Sequence, residues 1–348
     1  MRYVRVAIAL ALLMPQPAAA RDLEVPPGKG WKHAETGVIL MAQLADLPRT
    51  KLTDATQSEH DVVAQYEAPD DSVTATIYIY HPAIADVSLW FDRSRMAIET
   101  RRIFRDAAPA SADPVSFAVG GATAASSLRQ TYANAGGPYR STSLAVVPVG
   151  DWIVTVRLSA KTLTADQLDA RLLQIMTTIR WPAPGSTLPT VVPIRACATT
   201  TRFTKAKFAK ASGADVLMTL LGATLGSGAK ASTAAKVETK PEQRKLWCRD
   251  GEPTLEYGVY RTNDDRAGYT LALYDAGRAI TVYPSIMGQA DNSGAYAVTL
   301  TDVDGTVSTY PNFTSMPAPK QAWDLIAKGK SSGTAKGNAI TLDAKALK

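Results

Sequence analysis

Apolar and polar positions alternate along the middle of the chain in short runs, and turn residues punctuate them. Residues 60–67 and 73–81 read as strands, and Ala68-Pro69-Asp70-Asp71-Ser72 between them has turn chemistry, so the pair predicts a hairpin. The period then lengthens to that of a helix. Asp86 is placed to cap it, and Leu89, Trp90, Met96, Ala97, Ile103 and Phe104 fall on one face. Arg95, Arg102 and Arg105 fall elsewhere, and Glu99 four residues beyond Arg95 predicts a solvated, ion-paired outer face. Extended runs return at 115–119, 124–134, 139–147 and 152–159, with Gly136-Gly137-Pro138 and Pro148-Val149-Gly150-Asp151 as turns between the later ones. A final helix over 165–180 has a capping box in Thr164 and Gln167, a staple from Leu163 to Leu168, and a face of Leu168, Leu172, Ile175, Met176 and Ile179. Trp181-Pro182 stops it.

Pro182, Pro184, Gly185, Pro189 and Pro193 then mark a joint. Beyond it, five strands are predicted at 255–261, 269–274, 278–283, 296–302 and 306–310. Asp304-Gly305 is a two-residue hairpin signal, and the set predicts an antiparallel meander. A short helix at 319–328, with Trp323 and Ile326 inward, covers it, and the Gly/Ser/Lys-rich tail reads as mobile as far as Ile340. Seven tyrosines, Tyr257, Tyr260, Tyr269, Tyr274, Tyr283, Tyr296 and Tyr310, lie on or beside these strands. Sharing one exposed face, they would stack on sugar rings; half-buried strands are rich in tyrosine without any such role.

Charge sharpens the division. Residues 21–184 hold 16 Lys and Arg against 18 Asp and Glu, while 185–348 hold 20 against 14. Residues 195–249 alone carry 11 basic residues against three acidic ones, around an apolar run at 216–225. Lys205, Lys207, Lys210, Lys240, Arg244 and Lys245 are the candidate anion-binding residues there, able to hold an anionic membrane surface or polymer. The plainer reading is a short helix packed on the core with solvated lysines around it. At the amino end, Arg2 and Arg5, the apolar run 6–14 and Ala18-Ala19-Ala20 have the order of a cleavable signal peptide, cut near Ala20. Nine apolar residues fall short of the about 20 needed to span a bilayer, so no transmembrane helix is expected in the mature chain. Export to the periplasm or beyond makes one disulfide the simplest reading of Cys197 and Cys248.

The element order, closing with "DWIVTVRLSAKTLTADQLDARLLQIMTTIRWP" at 151–182, resembles the Mog1/PsbP-like family over roughly residues 30–182. The match lies in a last strand, a spacer that begins the helix, and a helix ending in an apolar-aromatic dipeptide. The resemblance implies an α/β/α sandwich and a binding or accessory role, and carries no site residues with it. The fold class expected is therefore α+β: an N-terminal α/β/α sandwich with an antiparallel sheet, and a C-terminal antiparallel β-meander with covering helices. The organisation expected is a signal peptide (1–20), a first domain (21–182), a Pro-rich linker (183–196) and a second domain (197–348).

Catalytic chemistry finds no motif. Residues 222–232 have the look of a phosphate loop, but Ala229 separates Gly228 from Lys230; Asp302-Val303-Asp304-Gly305 lacks the remaining ligands of a calcium loop. His33, His60 and His81, the only histidines, are spread without metal spacing. No cofactor is expected, and nucleic acid is a poor partner for an exported chain whose basic stretch has few aromatics. The function expected is a non-catalytic binding or accessory role in the cell envelope, toward a protein or an anionic polymer. The alternatives are an envelope glycan-acting enzyme and a docking protein that uses residues 195–249.

Overall fold

The computed structural model describes residues 20–134, 136–184, 188–228, 246–262 and 265–343. Lys240, Arg244, Lys245 and all of the expected leader but Ala20 lie outside the described residues.

The first half carries β1 (Arg21–Asp22), β2 (Trp31–Lys32), β3 (Ile39–Leu40), β4 (Gln43–Leu44), β5 (Leu47–Asp54), β6 (Asp61–Glu67), β7 (Val73–Tyr80), α1 (Val87–Thr100), β8 (Ala107–Pro109), β9 (Val115–Phe117), β10 (Ser127–Asn134), β11 (Ser141–Val149), β12 (Trp152–Ala160) and α2 (Ala165–Thr178). Apart from the small β2–β3 pair, these strands form one sheet ordered β1-β5-β6-β7-β12-β11-β10-β8, with β4 on β5 and β9 on β10. Every pairing in it is antiparallel. Its central strands are covered on both faces, which is why β11 reads as an almost unbroken apolar run. Ala145, Val147, Val154, Val156 and Leu158 face α2, whose Leu168, Leu172, Ile175 and Met176 complete that core. Both halves of the predicted Thr164–Gln167 capping box form.

Leu144, Val146 and Ile153 point to the other face, against α1. Asp86 caps α1 by accepting from the Leu89 amide, as its position predicts. The helix ends at Thr100, earlier than the apolar spacing suggests, because Arg101 turns to extended backbone; Phe104 is buried from a 3-10 turn while Ile103 is 45% exposed.

The second half carries β13 (Arg195–Ala196), α3 (Gly213–Gly228), β14 (Trp247–Arg249), β15 (Tyr257–Thr262), β16 (Tyr269–Leu273), β17 (Ala279–Pro284), α4 (Ile286–Ala290), β18 (Tyr296–Thr301), β19 (Val307–Thr309), α5 (Pro319–Lys328), β20 (Gly333–Lys336) and β21 (Ala339–Leu342). Strands β13 to β21 lie in chain order, a meander whose first pair, β13–β14, is parallel. The molecule is α+β with more strand than helix. At the Asp304-Gly305 turn, three residues rather than two separate the bonded pair Asp302 and Thr306, with Gly305 at φ +78°. The tail expected to be mobile instead forms the β20–β21 hairpin, with Ala335 buried and Gly337 at φ +54° in its turn. Cys197 and Cys248 form the expected disulfide, which ties the start of this sheet to β14.

Helix α1 lies between the two sheets. Its Leu89, Trp90, Phe91 and Ile98 share one core with Leu128 and Tyr132 of β10, Tyr260 of β15, Ala272 of β16, and Val191 and Ile194 from the joint. Eleven of its residues are consequently buried, Asp92, Arg93 and Ser94 among them. The predicted Arg95–Glu99 ion pair forms at 3.9 Å, with Glu99, Arg102 and Arg105 exposed and Arg95 half-buried at the edge of the junction. Asp92 accepts from Arg249 at 2.7 and 2.9 Å, from Arg95 at 3.2 Å and from the Tyr260 hydroxyl at 3.0 Å. Arg93 donates to the Leu255 carbonyl at 2.6 Å, while its Nε and Nη1 have no partner, and burial lowers its pKa. A buried, half-satisfied guanidinium costs several kcal/mol. Four apolar side chains at about 1.5–3 kcal/mol each offset it.

Candidate functional site

Strand register assembles the site. Asp61 of β6 pairs with Tyr80 of β7, and Tyr80 pairs with Ile153 of β12. One residue out from that rung, His60, His81 and Trp152 therefore stand side by side at the same end of three neighbouring strands. The His81 amide donates to the His60 carbonyl at 3.1 Å. The His60 ring stacks on the Trp152 indole at 5.5 Å, and His81 meets it edge-on at 5.1 Å. His33, from the turn between β2 and β3, completes the ring cluster edge-on to Trp152 at 4.7 Å.

All three histidines of the chain thus gather on one tryptophan, although up to 48 positions separate them in sequence. They do so as packing rings. His33 Nδ1 accepts from the Thr36 amide at 3.1 Å, which puts the ring proton on Nε2, donated to the Glu59 carbonyl at 2.8 Å. Among the described residues no group of three His, Cys, Asp or Glu side chains is placed to hold a metal ion.

Beside this cluster opens a cavity of about 670 Å³. Residues 119–124, the β11–β12 turn at 148–152, Glu35 and Thr36, and residues 181–184 wall it, together with His81, Ser126 and Leu188. Trp181, just past α2, is held by donating its indole N–H to the Met176 carbonyl at 2.8 Å. Gly120, at φ +60°, lets the opposite loop close on that ring, since a Cβ there would lie 2.6 Å from the Trp181 Cβ. Gly150, at φ +61°, makes the tight turn that delivers Asp151 and Trp152. The lining combines flat aromatic rings, small residues and the carboxylates of Glu35 and Asp151, and includes no lysine or arginine. Such a pocket stacks on a planar ligand face and accepts hydrogen bonds from hydroxyls or amines; its charge disfavours anions.

Of the residues expected to bind anions, Lys205, Lys207 and Lys210 are exposed on the segment before α3, away from this lining, and Lys240, Arg244 and Lys245 lie outside the described residues. The tyrosines form no platform: Tyr257, Tyr260, Tyr269 and Tyr310 are buried, and burial raises their hydroxyl pKa values. Tyr260 and Tyr269 instead bond Asp92 and the Pro317 carbonyl. Gly222 to Gly228 belong to α3 and make no phosphate loop. No family model, curated protein or solved structure matches the chain.

Proposed function

We propose that the chain is an exported, non-catalytic binding protein of the cell envelope, and that its ligand seats between Trp152, Trp181 and His81. The observation that carries this reading is the aromatic, acid-tinged cavity of about 670 Å³, a volume within the range of small-ligand sites. Its ligand is neutral or cationic and presents a flat face, as a sugar or an amine-bearing peptide does. The Cys197–Cys248 bridge supports the periplasmic or secreted location, where disulfides persist. The resemblance of residues 30–182 to Mog1/PsbP-like proteins supports an accessory role.

Titration with N-acetylated saccharide oligomers and with short amine-bearing peptides, followed by tryptophan fluorescence, tests the proposal. Saturable quenching is expected with one class, weakened at least about tenfold in Glu35→Gln/Asp151→Asn, where both exposed side chains change charge and keep their shape. Absence of saturation with either class would sink it.

Two carboxylates on one pocket lining favour a second reading, hydrolysis of a glycan. Release of reducing ends from envelope glycan, abolished by either single substitution while binding persists, would establish it over the first.

A further inference from the structure

The exposed face of α3 is of the wrong polarity for a helix that merely covers a core. Its inner side is conventional: Leu220, Thr219 and Asp215 are buried, and Asp215 bonds Asn312. Ala214, Leu217, Met218 and Leu221 fall on the opposite side, within one arc of about 100° at helical spacing, and all four are exposed. Leu217 and Met218 are each 39% exposed. Ile286 of α4, 41% exposed, prolongs the patch, since a Cβ on Gly222 would lie 3.7 Å from its side chain. Asp215 is the one charged residue of α3, and it points inward. A surface helix ordinarily shows polar residues to water, so an apolar stripe there marks an interaction surface.

The flanking charge says what that surface meets. From residue 195 to the start of α3 every charged residue is basic, namely Arg195, Arg202, Lys205, Lys207 and Lys210, and all five are exposed. Phe208, 60% exposed, stands among them, stacked on Phe313 at 4.8 Å. The 16 residues of α3 extend about 24 Å, short of the about 30 Å of a hydrocarbon core, and none of the described helices is long and apolar enough to cross a membrane. An apolar stripe beside exposed cations, too short to span, is the pattern of a segment that lies in a bilayer interface.

We propose that α3 and the basic segment before it form an interfacial anchor that docks the protein on an anionic lipid surface, with Leu217, Met218, Leu221 and Ile286 entering the acyl boundary and Lys205, Lys207 and Lys210 meeting headgroup phosphates. This site is separate from the cavity beside Trp152, and Glu35→Gln/Asp151→Asn leaves it intact.

The test is co-sedimentation of the full chain with vesicles of phosphatidylcholine alone and of phosphatidylcholine with phosphatidylglycerol. Binding to the anionic vesicles is expected, and binding at least about tenfold weaker to the neutral ones. Lys205→Gln/Lys207→Gln/Lys210→Gln is expected to weaken it about a hundredfold, at about fivefold for each cation near the surface. Leu217→Gln/Met218→Gln/Leu221→Gln is expected to weaken it to a similar degree. All six side chains are exposed, so unchanged circular dichroism and thermal midpoint confirm that each variant folds. Equal binding to both vesicle types, no binding to either, or a leucine variant that binds as the parent does would overturn the proposal. So would a parent chain that dimerises through this face, seen as a halving of mass by light scattering in the leucine variant.

Discussion

Asp61 offers a direct measurement of how the two sheets meet. It opens β6 at the junction, its side chain 17% exposed and 4.0 Å from Arg278. Burial pushes its carboxyl from the ordinary 3.8 up to about 6; Arg278 opposes the shift, and Asp54, Asp302 and Asp275 add to it. At pH 8 the group is ionised in both folded and unfolded chains. At 1.36 kcal/mol per pH unit, the gap between 3.8 and about 6 then costs the folded state about 3 kcal/mol. Because the folded value is the raised one, Asp61 favours folding fully below about pH 4, and the benefit fades as pH climbs through about 6. Asp61→Asn removes the ionisation. Its stability advantage over the parent, measured by urea unfolding with tryptophan fluorescence from pH 4 to pH 8, is expected to grow by up to about 3 kcal/mol across that interval. An advantage independent of pH would refute the reasoning. Since Asp275 and Arg278 lie in the β16–β17 turn and Asp302 directly follows β18, it would also mean that these turns of the second sheet do not cover Asp61 in solution.

Three further expectations concern stability. The Cys197–Cys248 bridge joins positions 51 apart, so Cys197→Ser/Cys248→Ser is expected to lose 2 to about 4 kcal/mol of unfolding free energy; an unchanged urea midpoint would contradict this. Asp92→Ala leaves Arg249, Arg95 and Tyr260 without their shared acceptor, and a loss of about 3–5 kcal/mol is expected on the same assay, against under about 1 if the network were solvated. Gly120→Ala places a side chain at φ +60° and against Trp181, so a loss of about 1–3 kcal/mol and an altered tryptophan emission maximum are expected; a variant matching the parent in both would show that the loop does not close on that ring.

Local pattern carried most of the strands and helix ends. Alternation located β6 and β7, the turn chemistry between them held, and Asp86 and Thr164 cap the helices they precede. What pattern could not carry is partnership between distant segments. The Arg95–Glu99 pair is legible from one helix and forms, but the burial of Asp92, Arg93 and Ser94 beside it is not, because nothing local announces that a second sheet will cover α1. The histidine cluster is hidden for the same reason: His60, His81 and Trp152 meet only through the register of β6, β7 and β12, which no spacing along the chain reveals. The clue that was present is positional, since each lies at the end of its strand on the same side of the sheet. The β20–β21 hairpin escaped because Gly, Ser and Lys in its flanks mask a strand pair whose burial comes from α3, through Leu220 against Gly333. Exposed leucines within an apolar run are likewise invisible until the helix has a buried side to compare them with.

With one sheet as its floor and the other as its roof, α1 makes each half of the chain unfit for life apart. A gene fragment encoding only residues 21–182 would yield a product with the outer flank of α1 bared to water and Asp92 deprived of Arg249 and Tyr260. Transplanting residues 197–348 onto a foreign neighbour would succeed only where that neighbour supplied a carboxylate and an aromatic flank of matching shape, so shuffling is expected to move the two halves together.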